Sequence, residues 1–300
     1  MSAKELSVRR SSPWRALGAI ALAMLLLVFW YGLIGAFALM PPVYGALWVT
    51  ALGIAFVGWF ALRPSIGLRR RATLRLRRPL GDMRLVWLAA PAQMVLNLAL
   101  LLLASRVVTM PNGDDPISKY AEQQNGWLAV AIFVIVVGPI IEEFTFRGLM
   151  QRKLERLLGP GVAIWTTSVV FALAHWQLGG FPSRVAAGLM LGYLAYVTRS
   201  IWPGVLLHML ANGGVVALAV LPGGDAAFDR AATRWPVTLA SIVAAALSIA
   251  AIRVLALRLT ESVRVARQNR QWPRGAPPHN HDTTAAAERI INRSHSESID

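Results

Sequence analysis

The chain has no cysteine. Disulfides, thiolate metal ligands and a cysteine nucleophile are thereby excluded within it. It is also poor in charge. Asp, Glu, Lys and Arg make up 15% of its 300 residues, against about 25% in a soluble domain. Acid is scarcer than base, 15 residues against 30, and the only lysines are Lys4, Lys119 and Lys153. The zincin pattern His-Glu-x-x-His, the nucleophile turn Gly-x-Ser-x-Gly and the motif Gly-x-Gly-Asp are all missing, which removes the residue sets those hydrolytic chemistries need.

What remains is apolar. Hydrophobic residues form 56% of the chain and mean hydropathy is +0.51. They gather in runs long enough to cross a hydrocarbon core of about 30 Å. We expect an all-α polytopic membrane protein with about eight spans, near residues 14–39, 42–62, 84–108, 126–146, 161–177, 183–198, 201–221 and 235–257. The first stretch, Ala16 to Met40, exceeds the roughly 7–15 apolar residues of a cleaved leader and reads as a retained span.

The net charge of +15 sits at the ends of these runs. Arg63, Arg69, Arg70, Arg71, Arg75, Arg77 and Arg78 crowd one loop, and Arg152, Lys153, Arg156, Arg199, Arg258, Arg264 and Arg267 follow later runs. Basic loops on alternate sides put both termini in the cytoplasm. The basic 63–79 loop has no aromatic residues for base stacking, so the bilayer, not nucleic acid, is the expected partner. An arginine- and alanine-rich composition with few lysines points to a bacterial inner membrane.

The expected organisation is N-terminal spans over 1–124, a chemistry-bearing core over 125–221, a last span over 222–258, and a disordered cytoplasmic tail over 259–300. The core stands out because Glu142 and Glu143 are the only acids inside any apolar run. Ionisable groups at membrane depth are costly and face polar cavities where they have a task. His175 and His208 are the two histidines inside spans, and Asn212 shares a helix face with His208. Glu142 lies 17 residues before Gly159 and His175 lies 15 after Pro160, so a helical hairpin brings them within about one turn of the same depth. Glu143 and Arg147 have the i,i+4 order of a helical ion pair. That pairing leaves Glu142 for proton transfer, because adjacent helix positions point about 100° apart and cannot both face one group well. His175 can share an attacking water with Glu142, while His208 and Asn212 can donate to an oxyanion. Phe171 reads as a core or cavity-wall residue, and Gln93 and Asn97 as polar packing within the third span.

Two other functions use the same residues. One is a proton- or ion-coupled transporter with Glu142, His175 and His208 as a relay, although the two halves show no matching interrupted helices. The other is a non-catalytic membrane scaffold or immunity protein.

The three motifs Glu142-Glu143-Phe-Thr-Phe-Arg147, Phe171-Ala-Leu-Ala-His175 and His208-Met-Leu-Ala-Asn212 resemble, in order and spacing, those of the CAAX-protease and bacteriocin-processing family of intramembrane proteases. The resemblance covers about 125–221. It implies an intramembrane endopeptidase acting on a membrane-anchored protein or peptide, prenylated or not. Glu142 would activate water with His175 beside it, and His208 with Asn212 would steady the tetrahedral intermediate. No cofactor is required in that mechanism. A metallo-type variant is also described for the family; it would take zinc on Glu142, His175 and His208.

Overall fold

The computed structural model describes residues 13–61, 74–108, 126–175, 179–220 and 224–271. Expectations for 63–73, 109–125 and 272–300 lie outside the described residues. Each apolar run forms a helix, and there is no strand among the described residues. In chain order these are α1 (Pro13–Gly35), α2 (Pro42–Ala61), α3 (Arg84–Ala104), α4 (Gly126–Leu158), α5 (Pro160–Leu173), α6 (Phe181–Thr198), α7 (Trp202–Val220), α8 (Gly224–Thr233) and α9 (Trp235–Gln271). The protein is an all-α polytopic membrane protein.

Four helices are long and apolar enough to cross a bilayer alone, over Pro13–Leu33, Arg84–Ala104, Gly126–Leu158 and Trp235–Gln268. The others fall short for identifiable reasons. α5 stops at 14 residues, about 21 Å at 1.5 Å per residue. α6 carries Arg184 in its first turns. α2, α5, α6 and α7 each turn one face to α4, while Leu47, Val162 and Val215 stay exposed on the other side. Leu22, Leu25 and Val28 of α1, and Leu239, Val243 and Leu247 of α9, are exposed; they are the surfaces suited to acyl chains.

α4 is the axis. Its buried Val137, Ile141, Phe144, Phe146, Met150 and Leu154 form a core with Ala23 and Leu27 of α1, Phe56 of α2, Phe171 of α5, and Ile201 and Val205. α4 is not uniform: π-helical turns over Ile132–Val137 and Phe144–Gln151 flank the regular turn Gly138–Glu143. Pro139 explains the first. It has no N–H for the ladder and collides with the preceding turn, so the helix widens ahead of it. The Gly138 N–H accordingly reaches back five residues, to the Phe133 carbonyl.

α6 packs closely on α5 at Gly188 and on α4 at Gly192, one turn apart. A Cβ at Gly188 would lie 2.8 Å from Ser168 Cβ and 2.9 Å from Ser168 Cα, and one at Gly192 would lie 2.9 Å from Gln151 Oε1. Small residues at i and i+4 let membrane helices approach closely. Their carbonyls therefore come within reach of α4 side chains: Arg147 Nη2 donates to Gly188 O at 3.3 Å and Gln151 Nε2 to Gly192 O at 2.9 Å.

At the far end of α4 the segment 74–83 docks on the α6–α7 turn. Leu80 N–H donates to Thr198 O, Ile201 N–H to Arg75 O, and Ser200 Oγ to Arg77 O. Arg75 differs from its reading as a surface topology marker. It is 1% exposed and paired with Glu155 at 2.6 Å, because the docked backbone carries it inward beneath the turn. The tail expected from 259 also differs. α9 continues as helix to Gln271, since Leu259 and Val263 are buried against Leu80 and Val86. Ser262 Oγ also accepts from the Asp82 N–H. The connection between the expected spans 201–221 and 235–257 holds α8.

Candidate active site

The regular turn of α4 between its two π-helical stretches carries Glu142 and Glu143, both buried. Glu143 accepts from Arg147 Nη1 at 2.9 Å, with both side chains fully enclosed. The i,i+4 pair expected from sequence is present. Arg147 also lies over the Phe171 ring, 4.6 Å from its centroid, which places a desolvated cation on an aromatic face.

α7 approaches this pair through Gly204, where a Cβ would stand 3.1 Å from Glu143 Oε2. One turn later His208 enters between the two carboxylates. Its Nδ1 is 3.2 Å from Glu143 Oε1, and its Nε2 is 3.7 Å from Glu142 Oε2. A carboxylate only accepts, so Nδ1 carries a hydrogen. The two glutamates do share one group after all. They point apart, but an imidazole has a nitrogen on each side, and the ring fills the angle between them.

His175 follows the end of α5. Its Nδ1 donates to the Phe171 carbonyl at 2.8 Å, and in the neutral ring that leaves the lone pair on Nε2. Phe171 sits between the two histidines, 4.8 Å from the His175 ring and 5.8 Å from the His208 ring. Three helices thus bring Glu142, Glu143, Arg147, Phe171, His175 and His208 into one cluster. Arg184, near the start of α6, is also coupled to Glu142 by charge.

Asn212 lies one turn beyond His208, and its Nδ2 donates to the Val134 carbonyl at 2.8 Å. Val134 O would ordinarily take the Gly138 N–H, which goes to Phe133, or, in a wider turn, the N–H of residue 139, which is proline. Asn212 supplies the donor that the helix lacks. One of its two amide hydrogens is therefore committed to α4 instead of facing the cluster.

Tyr31 of α1 was not foreseen. Its hydroxyl donates to Glu142 Oε1, and its ring packs edge-on against Phe133 at 5.4 Å. A phenol 111 positions away has no spacing signal; a hydroxyl inside an otherwise apolar span was the only hint. Glu142 Oε2 is buried without a hydrogen-bond partner among the described residues. No group of three or more His, Cys, Asp or Glu among the described residues is arranged to hold a metal. The Glu142, His175 and His208 set therefore does not form a ligand shell in this conformation.

Residues 124–214 match the model of the Rce1-like type II CAAX prenyl endopeptidases. The chain is 33% identical over 96 residues to the membrane-embedded CAAX protease MroQ of Staphylococcus aureus (strain USA300), covering 30% of this chain and 38% of that protein. It is 31% identical over 97 residues to the putative membrane peptidase YdiL of Bacillus subtilis (strain 168), covering 31% and 40%. The match thus spans about two fifths of those relatives' lengths. No solved structure matches the chain. The segment that holds the three motifs is similar to the CAAX prenyl endopeptidases.

Proposed function

We propose that the protein is an intramembrane endopeptidase that hydrolyses a peptide bond of a membrane-associated protein or peptide with a water activated by Glu142. The observation that carries this is Glu142 Oε2: buried, without a hydrogen-bond partner among the described residues, and 3.7 Å from His208 Nε2. That gap is too long for a direct hydrogen bond and leaves the carboxylate oxygen available to a water.

The water's proton passes to Glu142, with His175 Nε2 as the second acceptor that orients it. The water oxygen bonds to the scissile carbonyl carbon, and the carbonyl oxygen gains the charge. His208, when protonated, donates from both nitrogens: Nδ1 to Glu143 and Nε2 to that oxyanion. Glu143 with Arg147 fixes the ring and balances its charge. Collapse of the intermediate breaks the C–N bond, and the leaving amine takes the proton held by Glu142. Arg147 on Phe171 keeps the wall between the two imidazoles in place.

Residues 75–82 meet the end of α4, the α6–α7 turn and α9 at one end of the bundle, since Arg75 meets Glu155, Leu80 meets Thr198 and Asp82 meets Ser262. Under the positive-inside rule that end is cytoplasmic, and α1 begins and α9 ends there.

The test is cleavage of a membrane-anchored peptide, with and without a prenyl group, by purified protein in lipid nanodiscs. Glu142→Gln, His175→Ala and His208→Ala should each lose cleavage by about 100-fold or more while unfolding like the unmodified protein. Full activity in Glu142→Gln would refute the assignment. A chelator arm asks whether an exchangeable metal takes part, and proton flux without hydrolysis would favour transport.

A further inference from the structure

We propose that Tyr31 is a positioning residue of this site: its hydroxyl holds Glu142 by Oε1 so that Oε2 alone is presented to His208 and the reacting water. This deepens the endopeptidase reading and rests on it for the catalytic consequence, though not for the contact.

The argument starts from Glu142 itself. A glutamate side chain has several rotatable bonds, and a base must be held near its reacting geometry, where about 1 Å of misplacement costs about 100-fold. Glu143 is held by Arg147 and His208. Glu142 has no such partner on α4, α5, α6 or α7. His208 Nε2 stands beyond bonding distance at 3.7 Å, and His175 donates to Phe171. Among the described residues, the one hydrogen-bond donor to its carboxylate is Tyr31 on α1.

The surroundings are shaped for that contact. Phe133 fixes the phenol ring edge-on. Gly138 lies directly beside the pair: a Cβ there would touch the Tyr31 hydroxyl at 3.7 Å and Glu142 Oε1 at 3.9 Å, in ordinary contact, and would press on the Phe133 carbonyl at 3.0 Å. A phenol has one hydrogen to donate, and the carboxylate has two oxygens. Donation to Oε1 settles which oxygen remains for chemistry, and Oε2 is the one without a hydrogen-bond partner among the described residues. Residue 31 lies outside the 124–214 match, so the site is completed by a helix that the three motifs do not mark.

Tyr31→Phe keeps the ring against Phe133 and removes only the donor. Two readouts in nanodiscs decide the matter. In the infrared difference between unmodified protein and Tyr31→Phe, a shift of one carboxylate stretching band is expected, and the band should be missing when the same pair is compared in a Glu142→Gln background. In the cleavage assay, kcat should fall about 10- to 100-fold with KM within about twofold, and thermal unfolding should keep its cooperative midpoint. Absence of the infrared shift overturns the contact whatever the activity does. A shift with unchanged kcat, while Glu142→Gln is inactive, overturns the positioning role. If Glu142→Gln itself cleaves normally, the endopeptidase assignment fails, and the infrared band still decides whether Tyr31 holds Glu142.

Discussion

Replacing Arg147 with methionine removes a fully enclosed guanidinium and leaves the equally enclosed Glu143 with only His208 to face. Breaking a buried ion pair from one side costs about 3–5 kcal/mol, because the remaining charge is stranded in low dielectric. Arg147 also covers Phe171 at 4.6 Å and donates to Gly188 O, so the loss should sit near the upper end of that range. The double variant Arg147→Met/Glu143→Gln tests the cause. It removes both charges yet keeps an amide oxygen to accept from His208 Nδ1. Buried pairs replaced as a unit are often close to neutral, so the double should recover about 2 kcal/mol of the single's deficit. The assay is reversible unfolding in mixed micelles, followed by tryptophan fluorescence and circular dichroism, on both single variants and the double. A double variant as unstable as Arg147→Met, or a coupling energy below about 0.5 kcal/mol (the scatter of additive sites), would refute the idea that Arg147 stabilises by holding the Glu143 charge.

Asn212→Leu should lower stability by about 1–3 kcal/mol, the cost of leaving the Val134 carbonyl without a donor, read as a lower unfolding midpoint. An unchanged midpoint with a collapsed kcat would instead assign Asn212 to the oxyanion. Gly188→Ala should cost about 1–3 kcal/mol by overpacking, since the new methyl meets Ser168 Cβ and Cα at 2.8 and 2.9 Å. Ser168→Gly in that background should restore part of the loss, and an unaffected midpoint in Gly188→Ala would show that α5 and α6 part freely.

The sequence made some of this plain because the signals are local or compositional. Apolar run length located every helix that α4 packs against, and the four-residue step from Glu143 to Arg147 announced their pair. The hairpin count from Gly159-Pro160 brought His175 to the depth of Glu142 because helix rise is constant. Other features depend on what a residue meets across the bundle. Arg75 looks like every other arginine of its loop until 74–83 docks on the α6–α7 turn. Leu259 and Val263 look like a tail's stray apolar residues until α3 lies beside them. Tyr31 and Asn212 bond partners 111 and 78 positions away, where no periodicity reaches. Pro139 and Gly138 did hint at an irregular α4, since proline cannot donate to the ladder, but the hint does not say which side chain repairs it.

The wide turn at Ile132–Val137 also sets how α4 is phased. A π-helical turn is an α-helix holding one surplus residue, and each residue of a regular helix advances the azimuth by about 100°. Losing a single position there would restore uniform winding and swivel everything before it by that angle relative to the two acids. Trp127 and Leu128, now outward-facing, would turn off that face. That one supernumerary amino acid lets the membrane-facing half and the reactive half of the same rod each keep its own proper orientation.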